Sequence, residues 1–402
     1  MSAVPGRRRA VVVSGLGVVS PFGAGVKAFW TGLTAGATAI APVTLVDTEG
    51  FRSRIAALVP AEAVAALPAS RRRSRGDRMA LAAAGEAVAD AGLTPGERRA
   101  AALLVGAVGG GMLEAEDWYW EETRQGRPSP RVGALRSILP RSHADVLARR
   151  LGVHGPRETL VMACASGAAA LALGADLVRE GVVEVAVAGG VDAFTRICFM
   201  GFNALKLLDP APCRPFDRGR RGMSLGEGAA FVVLEEAARC RARGGRVYAE
   251  LAGAALTTDA HHPTAPHPDG DGMVRAMEGA LAAAARPPAA VGYVNAHGTG
   301  TLQNDRIEAR ALARVFGEGR VLVSSSKSLV GHTMAAAGAV EAVATVLALE
   351  HGVLPPTATL VDLDPDVPFD CVAGAARTVS VEAALSNSFG FGGQNVSLVF
   401  AR

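Results

Sequence analysis

Lysine is almost missing from this chain. Of 41 basic residues, only Lys27, Lys206 and Lys327 are lysines. Arginine supplies the rest, so each surviving lysine is a candidate for a role that needs a compact ammonium rather than a guanidinium fork. Aromatic residues make up 5% of the 402 residues. They nowhere interleave with basic ones, and at a net charge of +3 no nucleic-acid surface is expected. No apolar run approaches the ~20 residues of a membrane helix. The opening MSAVPGRRRAVVVSG has a basic start but no apolar signal core or small-residue cleavage site, so residence in the cytoplasm, with no membrane partner, is expected. The five cysteines (Cys164, Cys198, Cys213, Cys240 and Cys371) are odd in number and scattered, without a Cys-x-x-Cys pair. That argues against a disulfide framework and a structural zinc. A phosphate-binding G-x-x-x-x-G-K-[ST], a G-x-G-x-x-G opening a helix and a G-x-S-x-G elbow are also missing, which removes the signatures of nucleotide binding and serine-hydrolase chemistry.

What is present reads as α/β. Short β-branched runs alternate with long Ala/Leu stretches, the pattern of buried strands between amphipathic helices. In the first half, RAVVVSGLGVV, AALLVGAV, ETLVMA, VEVAVAGGV and AAFVVLEE read as strands, with helices at 26–35, 77–91, 142–151 and 166–181. In the second, YAELAGAAL, VGYVNAHG, RVLVSSSK and NVSLVF read as strands, with helices near 272–285, 305–316 and 335–351. CASGAAALALGADLVREG and GHTMAAAGAVEAVATVLALEHG each place small residues before a long helix that ends at glycine. The matching order of elements points to two related halves, 1–250 and 251–402.

Chemistry concentrates at strand ends, where open α/β sheets bind ligands. Cys164 follows ETLVMA, His297 follows VGYVNA, and Lys327 and His332 follow RVLVSSS. A lone cysteine is as readily a small buried hydrophobe as a reagent. A thiol at the first turn of a helix, however, is placed to become a thiolate, and the company of two strand-end histidines favours chemistry. Ser166 is expected to cap the following helix. His261, His262 and His267 lie in a proline-rich loop without helical spacing, so no metal is expected there. LSNSFGFGGQNVSLVF offers glycines that let backbone N–H groups approach a ligand, and phenylalanines that can form a movable wall. The arginine clusters RRRSRGDR (Arg71 to Arg78) and FDRGRRG (Arg218, Arg220, Arg221) read as solvated surface or as a dock for an acidic partner.

Taken in order, VMACASG, YVNAHGTGT, SSSKSLVGHTMAAAGAVE and NSFGFGG resemble the β-ketoacyl-acyl carrier protein synthases of the thiolase fold. The resemblance covers nearly the whole chain and fits the Cys-His-His condensing group of fatty-acid elongation and type II polyketide pathways. It implies two αβ halves in a layered αβαβα core and an acyltransferase that works by ping-pong decarboxylative Claisen condensation. By the same resemblance, Cys164 would be the acyl-accepting nucleophile, its thiolate favoured by the helix N-terminus. His297 and His332 would stabilise the enolate, and Lys327 with Glu341 would support the site. The amides of Cys164 and Phe391 would form an oxyanion hole, Phe391 acting also as a gate, and Thr299 and Thr301 would contact pantetheine. Asn295, Glu341, Ser386 and Asn387 correspond to residues around a monovalent cation in some members. No cofactor is implied beyond the phosphopantetheine that carries the substrate. The implied partners are an acidic acyl carrier protein and a second subunit, either a copy of this chain or a chain-length-factor-like protein.

The chain departs from the family where Leu302, Gln303 and Asn304 follow HGTGT and where Met162 precedes the nucleophile motif. These departures favour a type II polyketide or other specialised pathway over housekeeping fatty-acid elongation. A non-catalytic partner subunit is disfavoured by Cys164, whereas a decarboxylase on the same scaffold uses the same histidines.

Overall fold

In the computed structural model, which describes residues 9–67, 73–126 and 132–402, the apolar runs become strands of one mixed sheet. The first half contributes β1 (Val11–Ser20), β2 (Ala102–Gly106), β3 (Arg157–Leu160), β4 (Val185–Asp192) and β5 (Gly228–Glu236). The second contributes β6 (Ala249–Thr258), β7 (Tyr293–Asn295), β8 (Leu322–Ser324), β9 (Ala383–Gly390) and β10 (Gln394–Ala401). The main helices are α1 (Arg75–Asp90), α2 (Met112–Gln125), α3 (Arg141–Leu151), α4 (Ser166–Arg179), α5 (Arg196–Ala204), α6 (Asp271–Ala283), α7 (Leu302–Phe316) and α8 (Ala337–His351).

The strand order is β3-β2-β4-β5-β1 in one half and, continuing across a seam, β6-β10-β9-β7-β8 in the other. Counted from the seam, both halves run first, fifth, fourth, second, third. The pairing directions repeat as well: β2 is parallel to β3 and β4, β5 antiparallel to β4 and β1, and the second half matches strand for strand. β1 and β6 join antiparallel through Val12–Glu250 and Val13–Ala249.

The repeat extends to single glycines. A register shift falls between Val13 and Gly15 in β1, and another between Leu251 and Gly253 in β6. A Cβ on Gly15 would lie 2.2 Å from Ala87 O of α1, and one on Gly253 would lie 2.2 Å from Ala280 O of α6. Each bulge lets an outer helix press on its strand.

Three large apolar clusters fill the spaces between layers. The central one gathers α4 and α8 between the two halves of the sheet, a second lies under α1 and α3, and a third under α6 and α7. The result is the expected αβαβα stack. Met334–His351 is long and apolar enough to cross a membrane, but 83% of that window is buried inside the protein, so it is the core helix of this stack. Its partner α4 approaches closely because both helices use small residues where they meet: a Cβ on Gly338 would lie 2.6 Å from Ala168 Cβ and 2.7 Å from Ala168 N.

Helix positions follow the sequence reading closely. α1 starts at Arg75 because Ser74 and Asp77 form a reciprocal capping box. β9, α2 and α5 were not expected. AALSNSFG reads as loop because buried serines and an asparagine replace the β-branched signal, yet it pairs on both sides, with β7 and β10. All five cysteines are free.

Gly338→Ala should lower stability by roughly 1–3 kcal/mol, because the added methyl overpacks the helix contact. A lower urea midpoint with an unchanged slope would show this; an unchanged midpoint would contradict the close-approach account.

Candidate active site

The ends of β7 and β8 lie level, with Asn295 in register with Ser324 and with Ser386 in the middle of β9. The loops leaving β7 and β8 therefore open on one edge, together with the turn that leaves β3. Cys164 stands in that turn. Ala163 before it has φ 46, in the left-handed region that non-glycine residues avoid. Ser166 Oγ holds the turn, accepting from Met162 N at 2.8 Å and donating to Ala163 O at 2.7 Å. This corrects the capping role expected for Ser166: α4 has no side-chain N-cap bond, and the hydroxyl clasps the strand-to-helix turn instead.

His297 projects from a loop anchored to α7. Glu308 accepts from His297 N and Gly298 N, both at 2.8 Å. Asp305 accepts from Gly300 N at 3.1 Å and Phe216 N at 2.9 Å. His332 is held from another direction: its N–H donates to Ser224 O and its carbonyl accepts from Gly226 N, each at 2.8 Å. The two imidazole rings stand 5.3 Å apart, edge to face.

Lys327 forms a buried ion pair with Glu341, and its ammonium lies 3.4 Å from His297 Nδ1. An ammonium can only donate, so Nδ1 accepts and the ring proton resides on Nε2. Burial, then the Lys327 charge, holds both histidines well below the usual imidazole range, with the neighbouring imidazole adding to the effect at His297. Both rings are neutral donors near pH 7. Burial pushes Glu341 up to about 7, against the pull of Lys327.

Burial also pushes the Cys164 thiol from about 9 up to about 12, against the Lys327 charge and the Phe391 N–H. Burial thus works against the thiolate that the helix N-terminus favours. The Phe391 amide faces the sulfur because its loop presses on the cysteine turn: a Cβ on Gly390 would lie 3.0 Å from Met162 O and 3.2 Å from Cys164 N.

These groups share one cavity of ≈ 370 Å³, lined by Cys164, His297, His332, Thr299, Thr301 and Phe391, among others. The half-buried Phe391 ring stands 5.9 Å from that of Phe202. Thr299 and Thr301 hydroxyls are 2.9 Å apart. Leu302, Gln303 and Asn304, the residues that depart from the family pattern, line the same cavity.

Behind it, both side-chain heteroatoms of Asn295, Ser386 Oγ, Ser388 Oγ and Glu341 Oε2 are buried without hydrogen-bond partners. Mostly neutral oxygens with one carboxylate suit a hard monovalent cation. Asn387 does not join them. Successive strand residues face opposite sides, and Asn387 contacts Ser397, Glu308 and Met277.

Sequence reasoning missed Ser388 and Asp192, as well as the anchoring roles of Asp305 and Glu308. A carboxylate closing an otherwise apolar strand was the available signal for Asp192. The arginine clusters divide. Arg75 pairs with buried Glu227, Arg78 donates to Val64 O and Leu67 O, and Arg220 is buried against Asp364. These three are structural. Arg218 and Arg221 remain exposed. Arg71 and Arg72 lie outside the described residues. Arg73 lines a second cavity with Arg136, Arg149 and Arg150.

Residues 8–239 match the model of the beta-ketoacyl synthase N-terminal domain and residues 248–361 that of its C-terminal domain. The chain is 36% identical to a 3-oxoacyl-[acyl-carrier-protein] synthase 2 of Synechocystis sp., covering 98% of each. It is 38% identical to the tetracenomycin polyketide synthase ketoacyl synthase alpha subunit of Streptomyces glaucescens, covering 98% of this chain and 97% of that one. A chain of the ishigamide ketosynthase/chain length factor structure superposes with TM-score 0.93 at 37% identity, covering 98% of this chain and 99% of that one.

Burial raises Glu308 from 4.5 to about 7. A carboxyl that keeps its proton longer in the folded state adds stability below its unfolded pKa and loses that contribution as pH rises through the folded one. Glu308→Gln should therefore melt lower at every pH but decline less steeply than the parent between pH 4.5 and 7. Parallel melting curves across that window would contradict the assignment.

Proposed function

The chain belongs to the β-ketoacyl synthase family, and from that premise we propose that it condenses an acyl chain held on Cys164 with a malonyl thioester, releasing CO2. One observation carries the reading: the buried Cys164 thiol and the imidazoles of His297 and His332 share a single cavity. In the first half-reaction Sγ attacks the thioester of an acyl carrier protein. Its proton passes to a neutral imidazole and then to the departing pantetheine sulfur, leaving an acyl-Cys164 thioester and a free carrier thiol. In the second, His297 and His332 donate N–H bonds to the malonyl thioester carbonyl. Charge developing there as the carboxylate leaves is met by donors already in place, in a buried site. The enolate carbon attacks acyl-Cys164, whose oxyanion is held by the amides of Cys164 and Phe391. Collapse expels the Cys164 sulfur, which recovers a proton. The balance is acyl thioester plus malonyl thioester plus one proton, giving β-ketoacyl thioester, CO2 and carrier thiol.

Lys327 and Glu341 support this chemistry without covalent participation. The ammonium fixes the His297 tautomer, and its charge adds to burial in keeping both rings neutral at rest. Asn295, Ser386 and Glu341, joined by Ser388, would hold a monovalent cation, which would balance charge beside Glu341. Thr299 and Thr301 would guide the pantetheine arm, with Phe391 as the gate.

Relatives of both the fatty-acid and polyketide kinds match at similar identity. The specialised-pathway reading rests on Leu302, Gln303 and Asn304, which replace the family pattern along the cavity that admits the substrate. The second subunit, a copy of this chain or a chain-length-factor-like protein, would meet the sheet edge at β3, beside exposed Val161, Ile197 and Met200. We place the junction of the halves at 244–250, before and into the start of β6, and the protein in the cytoplasm. The acidic carrier protein would dock on Arg73, Arg136, Arg149 and Arg150 together with Arg218 and Arg221.

Cys164→Ala should form no acyl adduct with acyl-carrier thioesters in intact-protein mass spectrometry; an adduct on the variant would remove Cys164 from the mechanism. His332→Ala should slow CO2 release from malonyl-carrier thioester by about 10²–10³, and an unchanged rate would remove His332. Carrier affinity should weaken roughly tenfold or more between low and high salt. A flat dependence would exclude the arginine dock.

A further inference from the structure

Asp192 closes β4 and is 4% exposed. It forms none of the ion pairs found among the described residues. One oxygen accepts from Gly109 N at 2.9 Å and the other from Ala335 N at 3.1 Å. A Cβ on Gly109 would lie 2.6 Å from Asp192 Oδ1, so only glycine lets the carboxylate approach. Burial raises this carboxyl to about 6, opposed by those two amides. A group kept at such expense needs a reason.

The reason lies in how His332 is aimed. A working imidazole is commonly oriented by a hydrogen bond to its far nitrogen. His332 Nδ1 is buried and has no such partner. Its orientation therefore comes from the backbone on either side. On one side Ser224 and Gly226 pair with His332 itself. On the other, Met334 takes φ 53, a left-handed conformation that persists only where neighbours enforce it. The next amide, Ala335 N, is the one Asp192 holds.

We propose that Asp192 is the positioning residue of His332, aiming its ring through the Ala335 amide while tying that turn to Gly109. The inference rests on the reading that His332 serves the decarboxylation half-reaction. Asp192→Asn is nearly isosteric but sets an NH2 against one of the two donor amides. CO2 release from malonyl-carrier thioester should fall about tenfold or more, since ångström-scale misplacement of a catalytic group has effects of that order. Acylation of Cys164 should stay within roughly threefold, because it does not need both imidazoles aimed. In the His332→Ala background, Asp192→Asn should cost nothing further, as two residues acting through one path are not additive. Gly109→Ala, which pushes the same carboxylate aside, should reproduce the selective loss even if the Asp192 variant does not fold.

A parallel fall in both half-reactions, or a further loss in the His332→Ala background, would overturn the proposal in favour of general scaffolding. If His332→Ala slows CO2 release while Asp192→Asn and Gly109→Ala release it at the parent rate, this inference alone fails. If His332→Ala itself releases CO2 normally, the decarboxylation reading fails with it.

Discussion

The site depends on how closely α4 and α8 approach each other. Their N-terminal turns carry or follow Cys164 and His332, and the backbones meet almost without side chains between them. Gly167 of α4 and Gly338 of α8 each mark a place where a methyl group would collide with the opposing chain, at Ala335 O, 2.9 Å away, and at Ala168; Gly190 of β4 meets the same Ala335 O at 2.9 Å, just before α8. The alanine-rich composition of both helices follows from this. Leucine or valine at the crossing would separate the two halves, and the thiol and the second imidazole would no longer face one cavity.

Burial created by that approach decides the protonation states. It drives the thiol toward its neutral form and both histidines away from the imidazolium. Lys327 reinforces the second effect and opposes the first. The site is thus a nearly uncharged pocket with one ion pair beneath it, Lys327–Glu341. In the proposed mechanism an enolate formed there would meet N–H donors whose orientation is already fixed, rather than counter-charges that would also stabilise the malonyl ground state. Backbone amides do most of the anchoring. Glu308 and Asp305 hold the His297 loop, and Asp192 holds the turn after His332.

Much of this was legible in the sequence, for identifiable reasons. Strand-end position picked out Cys164, His297, Lys327 and His332 because apolar runs stop abruptly before each of them. The scarcity of lysine drew attention to Lys327, which the fold buries against Glu341. The two related halves were visible in element order, although the shared bulge at Gly15 and Gly253 was not, since it depends on which helix lies above each strand. β9 was hidden because Ser386, Asn387 and Ser388 face buried polar surroundings that no propensity reports. Its alternation, once seen, turns the Asn387 side chain away from the unpartnered group and places Ser388 Oγ in it. Arginine clustering overstated the exposed charge: Arg75, Arg78 and Arg220 are internal ties, and only tertiary structure separates them from Arg73, Arg218 and Arg221. The burial that opposes the Cys164 thiolate was not legible, because a helix N-terminus can be read from sequence, whereas desolvation cannot.

The central claim is that Cys164 and the two histidines act in sequence, acylation first and carbanion attack second. A rapid-quench single turnover tests it most directly. Enzyme is first loaded with an acyl-carrier thioester and then mixed with malonyl-carrier thioester. The account predicts that acyl-Cys164 decays at the rate at which β-ketoacyl product appears, with one CO2 released per product. Product that forms while the acyl-Cys164 population stays constant would contradict it.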